Sequence, residues 1–216
     1  GELFFSRRIV NPQYGLKLTG ALGRWGLGAL ASDDRAPGQV LAQGVSGHGD
    51  RALDGVFRTE REFGHQSHAG LFLAGTKFEK TSNRVGSVDA RYVTANNWTI
   101  AGQATTTQTD AGAAGKSAGP GYILRLKKTD NHASFQNFYT DRSAGLNSTL
   151  GYISRTNIRK LENFEYYLWK PAGAVLAYGP QLDGVVIYDH AGVLQNWNVE
   201  PGFLLTLPRL TTLTLT

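Results

Sequence analysis

The chain has 216 residues, 27 of them glycine, a net charge of +5, and neither cysteine nor methionine. It therefore holds no disulfide and no thiolate metal site, and no apolar run approaches the roughly 20 residues that a membrane helix requires. Lys and Arg are scattered singly or in pairs such as Arg7-Arg8 and Lys127-Lys128, which argues against a nucleic-acid partner.

Residues 1–13 read as a lead-in segment. The opening Gly-Glu-Leu-Phe-Phe lacks an initiator methionine, so the chain reads as an internal fragment. Regular hairpins are expected over 14–170. Tyr14–Leu22 turns at Gly23 into Trp25–Ala31, and a Gly-rich spacer, Ser32–Arg51, leads to Val56–Phe63. Gly64–Gln66 is a short link to Ser67–Thr76. A polar spacer, Lys77–Asn83, precedes Arg84–Thr94, and Ala95–Asn97 turn into Trp98–Thr107. Gln108–Pro120 is long, Thr129–Asn131 tight, and Asp141–Ser148 long. Leu161–Asn163 is read as a fifth tight turn. Beyond Pro171 the pattern blurs, with Pro180, Pro201 and Pro208 interrupting strand-like pieces, and Leu210–Thr216 reads as a strand cut mid-pattern.

Splitting these segments by parity separates apolar from charged residues. Leu16, Leu18 and Leu22 oppose Lys17. Val88, Ala90 and Tyr92 oppose Asp89 and Arg91, while Tyr122, Leu124 and Leu126 oppose Arg125 and Lys127. Tyr152 and Ile158 oppose Arg155, Asn157 and Arg159, and Phe164, Tyr166 and Leu168 oppose Glu165. Aromatics gather near segment ends at Trp25, Trp98, Tyr122, Tyr139, Tyr166, Tyr167 and Trp169, as interfacial girdles do. The expected fold is all-β: an antiparallel up-and-down transmembrane β-barrel, of which this chain supplies about 10–14 strands. The rule of short periplasmic turns puts Gly23, Gly64–Gln66, Asn96-Asn97, Asp130-Asn131 and Glu162-Asn163 on the periplasmic side, with the longer loops outside. A water-soluble β-sandwich or lectin-like module with one solvated face shows the same alternation and stands as the alternative.

The FFSRRI motif at Phe4–Ile9, GLKLTGALGRWGLGAL at Gly15–Leu30, FRTEREFGHQSHAGLFL at Phe57–Leu73, GSVDARY at Gly86–Tyr92 and FYTDRSAGLNSTLGYISRTNIR at Phe138–Arg159 follow one another in order. Together they resemble a family of bacterial outer-membrane proteins, the domain of unknown function 5916. The resemblance implies a C-terminal barrel in the outer membrane. It also implies that the barrel follows an N-terminal module similar to family 9 carbohydrate-binding domains. It supplies no catalytic residues.

The candidate functional residues are those of the charged face: Lys17, Arg58, Glu60, Glu62, Asp89, Arg91, Arg125, Lys127, Arg155, Asn157, Arg159 and Glu165. Rings of charge set selectivity in channels, so an excess of cations there biases a lumen toward anions; the same residues, paired with one another, stiffen a plugged one. Expected partners are outer-membrane lipid and lipopolysaccharide, with glycans or other envelope proteins. His132 with Ser134, or Ser67 with His68, is the raw material for a lipid hydrolase, but no GxSxG elbow accompanies either pair. His48 with Asp50, His65 with His68, and Asp189-His190 fall short of a metal-ligand set, and Asp33-Asp34 and Asp130-Asn131 read as turn residues. The Gly-rich Ala111–Gly121 stretch lacks the phosphate-loop pattern. No cofactor is expected.

Overall fold

The computed structural model describes residues 2–64, 66–209 and 211–216. Their strands are β1 (Pro12–Leu22), β2 (Trp25–Asp34), β3 (Ala52–Phe63), β4 (Ser67–Phe78), β5 (Thr81–Val93), β6 (Trp98–Asp110), β7 (Lys116–Thr129), β8 (Ala133–Arg142), β9 (Ile158–Tyr167), β10 (Ala177–Tyr188), β11 (Leu194–Leu207) and β12 (Thr211–Leu215). They form one 12-stranded sheet in which order in space follows order in sequence, from β1 to β12. This is the all-β, up-and-down architecture that the alternation predicts. One short helix, α1 (Ala36–Gln39), lies between β2 and β3.

Connection lengths differ from the expected rhythm. The spacers at 35–51 and 143–157 are long, but Lys77–Asn83 contracts to a turn at Glu79 and Lys80, with Glu79 in the left-handed region at φ 49°. The expected long spacer Gln108–Pro120 likewise contracts to 111–115, its ends extending β6 and β7. Gly64 and Gln66 also take positive φ in the β3–β4 turn, whose His65 lies outside the described residues. The expected turn at Leu161–Asn163 does not form. Those residues pair with Val186, Val185 and Gly184 in mid-strand, because a partner ladder satisfies a backbone whose side chains alone resemble a turn. The strand expected before it is instead the connection 143–157.

The tail is more regular than its prolines suggest. Pro180 lies just beyond the point where β9 stops pairing with β10, and Pro201 lies on a stretch of β11 that β12 does not reach. Neither proline interrupts a ladder on both sides, which is the condition for proline within a sheet. Leu210, at the head of the expected terminal strand, lies outside the described residues; β12 begins at Thr211.

The chain divides into two compact units. The first contains the residues up to Ala90, Gln103–Gly121 and Arg142–Asn157; the second contains Arg91–Gly102, Tyr122–Asp141 and Ile158–Thr216. In the first unit, register aligns side chains in rows that share a face. One set of rows is Leu16, Ala31, Gly55, Gly75, then Leu18, Ala29, Phe57, Leu73, then Leu22, Trp25, Arg61, Ala69. This set is the more exposed: Phe57 is 37% and Leu73 45% exposed, against 9% for Phe72 and 8% for Ala74 in the alternate rows, and the Arg61 guanidinium lies 5.5 Å over the Trp25 ring. The alternate rows carry Lys17, Leu30, Val56, Ala74 and Thr19, Gly28, Arg58, Phe72. Polar groups are buried in this unit, among them Asp34, Asp54, Asn83, Ser87, Thr105 and Thr107.

Asp34 shows how such burial is stabilised. Only 2% exposed, it accepts the backbone N–H groups of Val10 and Asn11 at 2.8 Å each and of Ala36 at 3.0 Å. It thereby ties the lead-in to the end of β2 and starts α1. Removing an acceptor strands buried donors, so Asp34→Ala should lower the unfolding free energy by about 2 kcal/mol. The midpoint of thermal unfolding would read this, and Asp34→Asn, which retains one oxygen, should lose less.

In the second unit, Leu161, Val186 and Trp197 form one row, and Glu165, Leu182 and Pro201 another on the same side; Phe164, Asp183 and Glu200 lie on the opposite side. Aromatic rings run in contact along strand ends, from His132 to Tyr167, Trp169, Tyr178 and Phe203, with centroids 5.2 to 6.5 Å apart. Trp98 packs edge-on against Phe135, and the Lys128 ammonium lies 5.6 Å from the Trp98 centroid. Of the residues expected in a girdle, Tyr166 is displaced: it packs against Phe164 on the opposite face.

Candidate functional site: an occupied polar face

The polar face of the first unit centres on Arg58. Its guanidinium donates to both oxygens of Asp89, through Nη1 to Oδ1 and through Nη2 to Oδ2 at 2.9 Å, and Nη2 also reaches Glu60 at 3.3 Å. His68 adds its Nε2 at 3.7 Å from Asp89. Gly70 makes room for this fork, since a Cβ there would lie 2.5 Å from Nη2. The pairing arises from register: Glu60 opposes Gly70 and Glu62 opposes His68, so bare backbone lies beside the long Arg58 side chain.

Two segments dock on this face. Residues 2–9 and 148–152 bind each other, with Glu2 and Tyr152 exchanging backbone bonds at 2.7 Å, Phe5 N–H donating to Leu150, and Ser148 donating to the Leu3 carbonyl at 2.8 Å. Leu3, Phe4 and Ile9 pack with Leu150 onto Val56, Phe72, Ala74 and Val85. The connection itself is bonded side chain by side chain. Asn83 donates to the Asn147 carbonyl and accepts from Thr149 N–H, while Thr107, fully buried, accepts from Asn147 N–H at 3.1 Å. Glycines permit the approach. A Cβ at Gly145 would overlap the Ala118 carbonyl, and one at Gly119 would lie 2.5 Å from the Leu146 nitrogen.

The sequence-derived candidates divide accordingly. Lys17, Arg58, Glu60 and Glu62 share one face by register, and the Arg58 ion pair places Asp89 with them; Arg91 follows at the next same-face position of β5. Arg125 and Lys127 alternate with the exposed Tyr122 and Leu124 on β7, and Arg125 lies 5.7 Å over the Phe138 ring. Among the described residues, Lys17, Arg91 and Lys127 form no ion pair. Arg155 and Asn157 are not strand residues. They lie in the connection before β9, so their parity assigns no face.

Arg159 and Glu165 sit on the opposite face from the one expected, beside Leu161 and Leu182. Phe164 and Tyr166 misled the parity reading, because register sets them against Asp183 and Gln181. Each misplaced charge has a partner: Asn137 donates to Glu165 at 3.3 Å, and Arg159 lies 3.5 Å from Asp141. Asp141 also accepts from the Tyr139 hydroxyl and bonds His190 at 2.8 Å. His68 was weighed for other chemistry, and its place beside Asp89 was missed by sequence reasoning, as were the bonds by which Asn83 and Thr107 hold the connection. The only signal for the docking was the glycine spacing at 119, 145 and 151.

The Ser and His pairs are occupied elsewhere. His132 bonds the Leu168 carbonyl at 3.0 Å and stacks on Tyr167, whereas Ser134 is buried against Thr129 and Gln136. His68 faces Asp89, and His48 bonds the Leu41 carbonyl. Asp33 accepts from Tyr14 N–H and Arg51, and Asp189 from Val193 N–H and Gln195. In the β7–β8 turn, the N–H groups of His132 and Ala133 hold the Asp130 carboxyl below the usual carboxylate range. The expected His65–His68 pair involves a residue outside the described ones; among those described, no three acidic or His side chains cluster to hold a metal. No family model, curated protein or solved structure matches this chain.

Proposed function

We propose that the chain is the membrane-embedded β-barrel part of a bacterial outer-membrane protein of the family its motifs resemble, serving chiefly as an anchor whose interior is occupied. The inverted polarity carries this reading. Leucine and aromatic side chains project from one face of the sheet, while the other buries Asp, Asn, Ser and Thr beside the small Phe72, Val85 and Leu150 cluster, an unusual share of polar burial for a water-soluble domain. Strands β1 to β11 contain between 10 and 14 residues each. A tilted membrane strand needs about 9 to 11. A soluble sandwich would pack a second sheet on the apolar rows, and the described strands all belong to one sheet. The ring row with Lys128 fits an aromatic interface belt.

A second reading, an anion-biased conduit, draws on the unpaired Lys17, Arg91 and Lys127. The docked segments favour the anchor. Expected behaviour is extraction by detergent only, with migration on gels that shifts on boiling. A chain that is monodisperse without detergent would remove the membrane reading.

A further inference from the structure

The apolar face of the first unit carries a polar cleft, of about 470 Å³, at the end of β5, β6 and β7 nearest the β6–β7 connection. Ser82, Arg84, Gln108, Asp110, Lys116 and Ser117 line it. Arg84 and Gln108 are exposed and alternate with the buried Val85 and Thr107, so they stand on the same side as the apolar rows. The next positions along that side are Gly86 and Val88 on β5, Thr106 and Ala104 on β6, and Ala118 and Pro120 on β7, with the Thr106 methyl turned toward Gly86. Cationic and amide groups thus cap an apolar wall at the end of the strands.

From this placement we infer an anionic headgroup site that takes the phosphate of an outer-leaflet glycolipid while its acyl chains lie along Val88 and Ala104. The inference rests on the membrane reading above. Charge complementarity identifies the occupant. Asp110 is already neutralised, by Lys116 at 3.3 Å and by the Gly112 N–H at 3.0 Å, and Arg84 forms no ion pair among the described residues. A guanidinium fork pairs with phosphate oxygens in a bidentate way, and the Gln108 amide and the serine hydroxyls supply further donors. Long basic side chains at the level where an apolar wall ends are placed to meet lipid phosphate.

The test is native mass spectrometry of the protein in nanodiscs supplied with a diphosphorylated glycolipid or its dephosphorylated form. The parent should retain the phosphorylated form roughly tenfold better, Arg84→Gln and Lys116→Gln should each abolish that preference, and Arg24→Gln, at the β1–β2 turn, should keep it. Equal retention by parent and Arg84→Gln would overturn the site. Displacement of the glycolipid by millimolar inorganic phosphate would also overturn it, assigning the cleft to a free anion. A chain that enters nanodiscs without discriminating defeats this inference alone, whereas one that fails to enter defeats the membrane reading as well.

Discussion

Gly145→Val should turn a silent inserted protein into a conducting one. In the parent, the 143–157 connection lies backbone to backbone on β7, and Gly145 has no room for a Cβ beside the Ala118 carbonyl. Overpacking of this kind costs about 1 to 3 kcal/mol. The strand ladders have no cheap way to give, so the connection should detach instead, releasing its bonds to Thr107 and Asn83. In a planar bilayer the variant should pass current with anion preference, since Lys17, Arg91 and Lys127 form no ion pair among the described residues. Protease cutting within 143–157 would report detachment independently. Detachment without current would show that the connection does not close the path.

Asp89→Ala should be the most destabilising single change within the strands. It leaves Arg58 on the occupied face with Glu60 as its remaining anion, at 3.3 Å, and removes the partner of His68. Breaking a buried pair from one side costs about 3 to 5 kcal/mol, and partial exposure of the Arg58 and Asp89 side chains, 31% and 16%, reduces that to roughly 2 to 3. Removing both charges, as Arg58→Leu with Asp89→Ala, should recover much of the loss, because the neighbouring Phe72 and Val56 can pack against leucine. A double-mutant cycle on urea unfolding in detergent measures the coupling. A coupling near zero would make the ion pair incidental.

Much of the fold was legible because β-structure advertises itself through parity. Lys17 against Leu16 and Leu18, or Asp89 against Val88 and Ala90, gives the correct face from a few residues, since a strand has only two sides. Parity fails where a segment's own pattern is ambiguous and its neighbour decides. Phe164, Glu165 and Tyr166 read cleanly in isolation, yet β10, with Leu182 opposite Glu165, reverses them. Composition failed at Leu161–Asn163, where turn-like residues sit in mid-strand, and at 149–157, where an alternating stretch became part of a docked connection. The ion pair of Arg58 with Asp89 was legible only as two charges of opposite sign on one face. Its partner choice depends on register between β3, β4 and β5, which local sequence does not encode.

The docked connection also bears on the order of assembly. Neighbouring strands can zip together one hairpin at a time, with short loops to close, whereas the bond from Ser148 to the Leu3 carbonyl joins residues 145 positions apart. Loop-closure entropy rises with the length enclosed, and distant contacts are rewarded only after the intervening chain is in place. Residues 2–9 and 148–152 should therefore meet late, once β1 to β8 are already ordered. The sheet would pass through an intermediate in which Phe72, Val85 and Leu150 have yet to meet, and in that interval a chaperone or small apolar molecule finds Phe72 and Val85 uncovered.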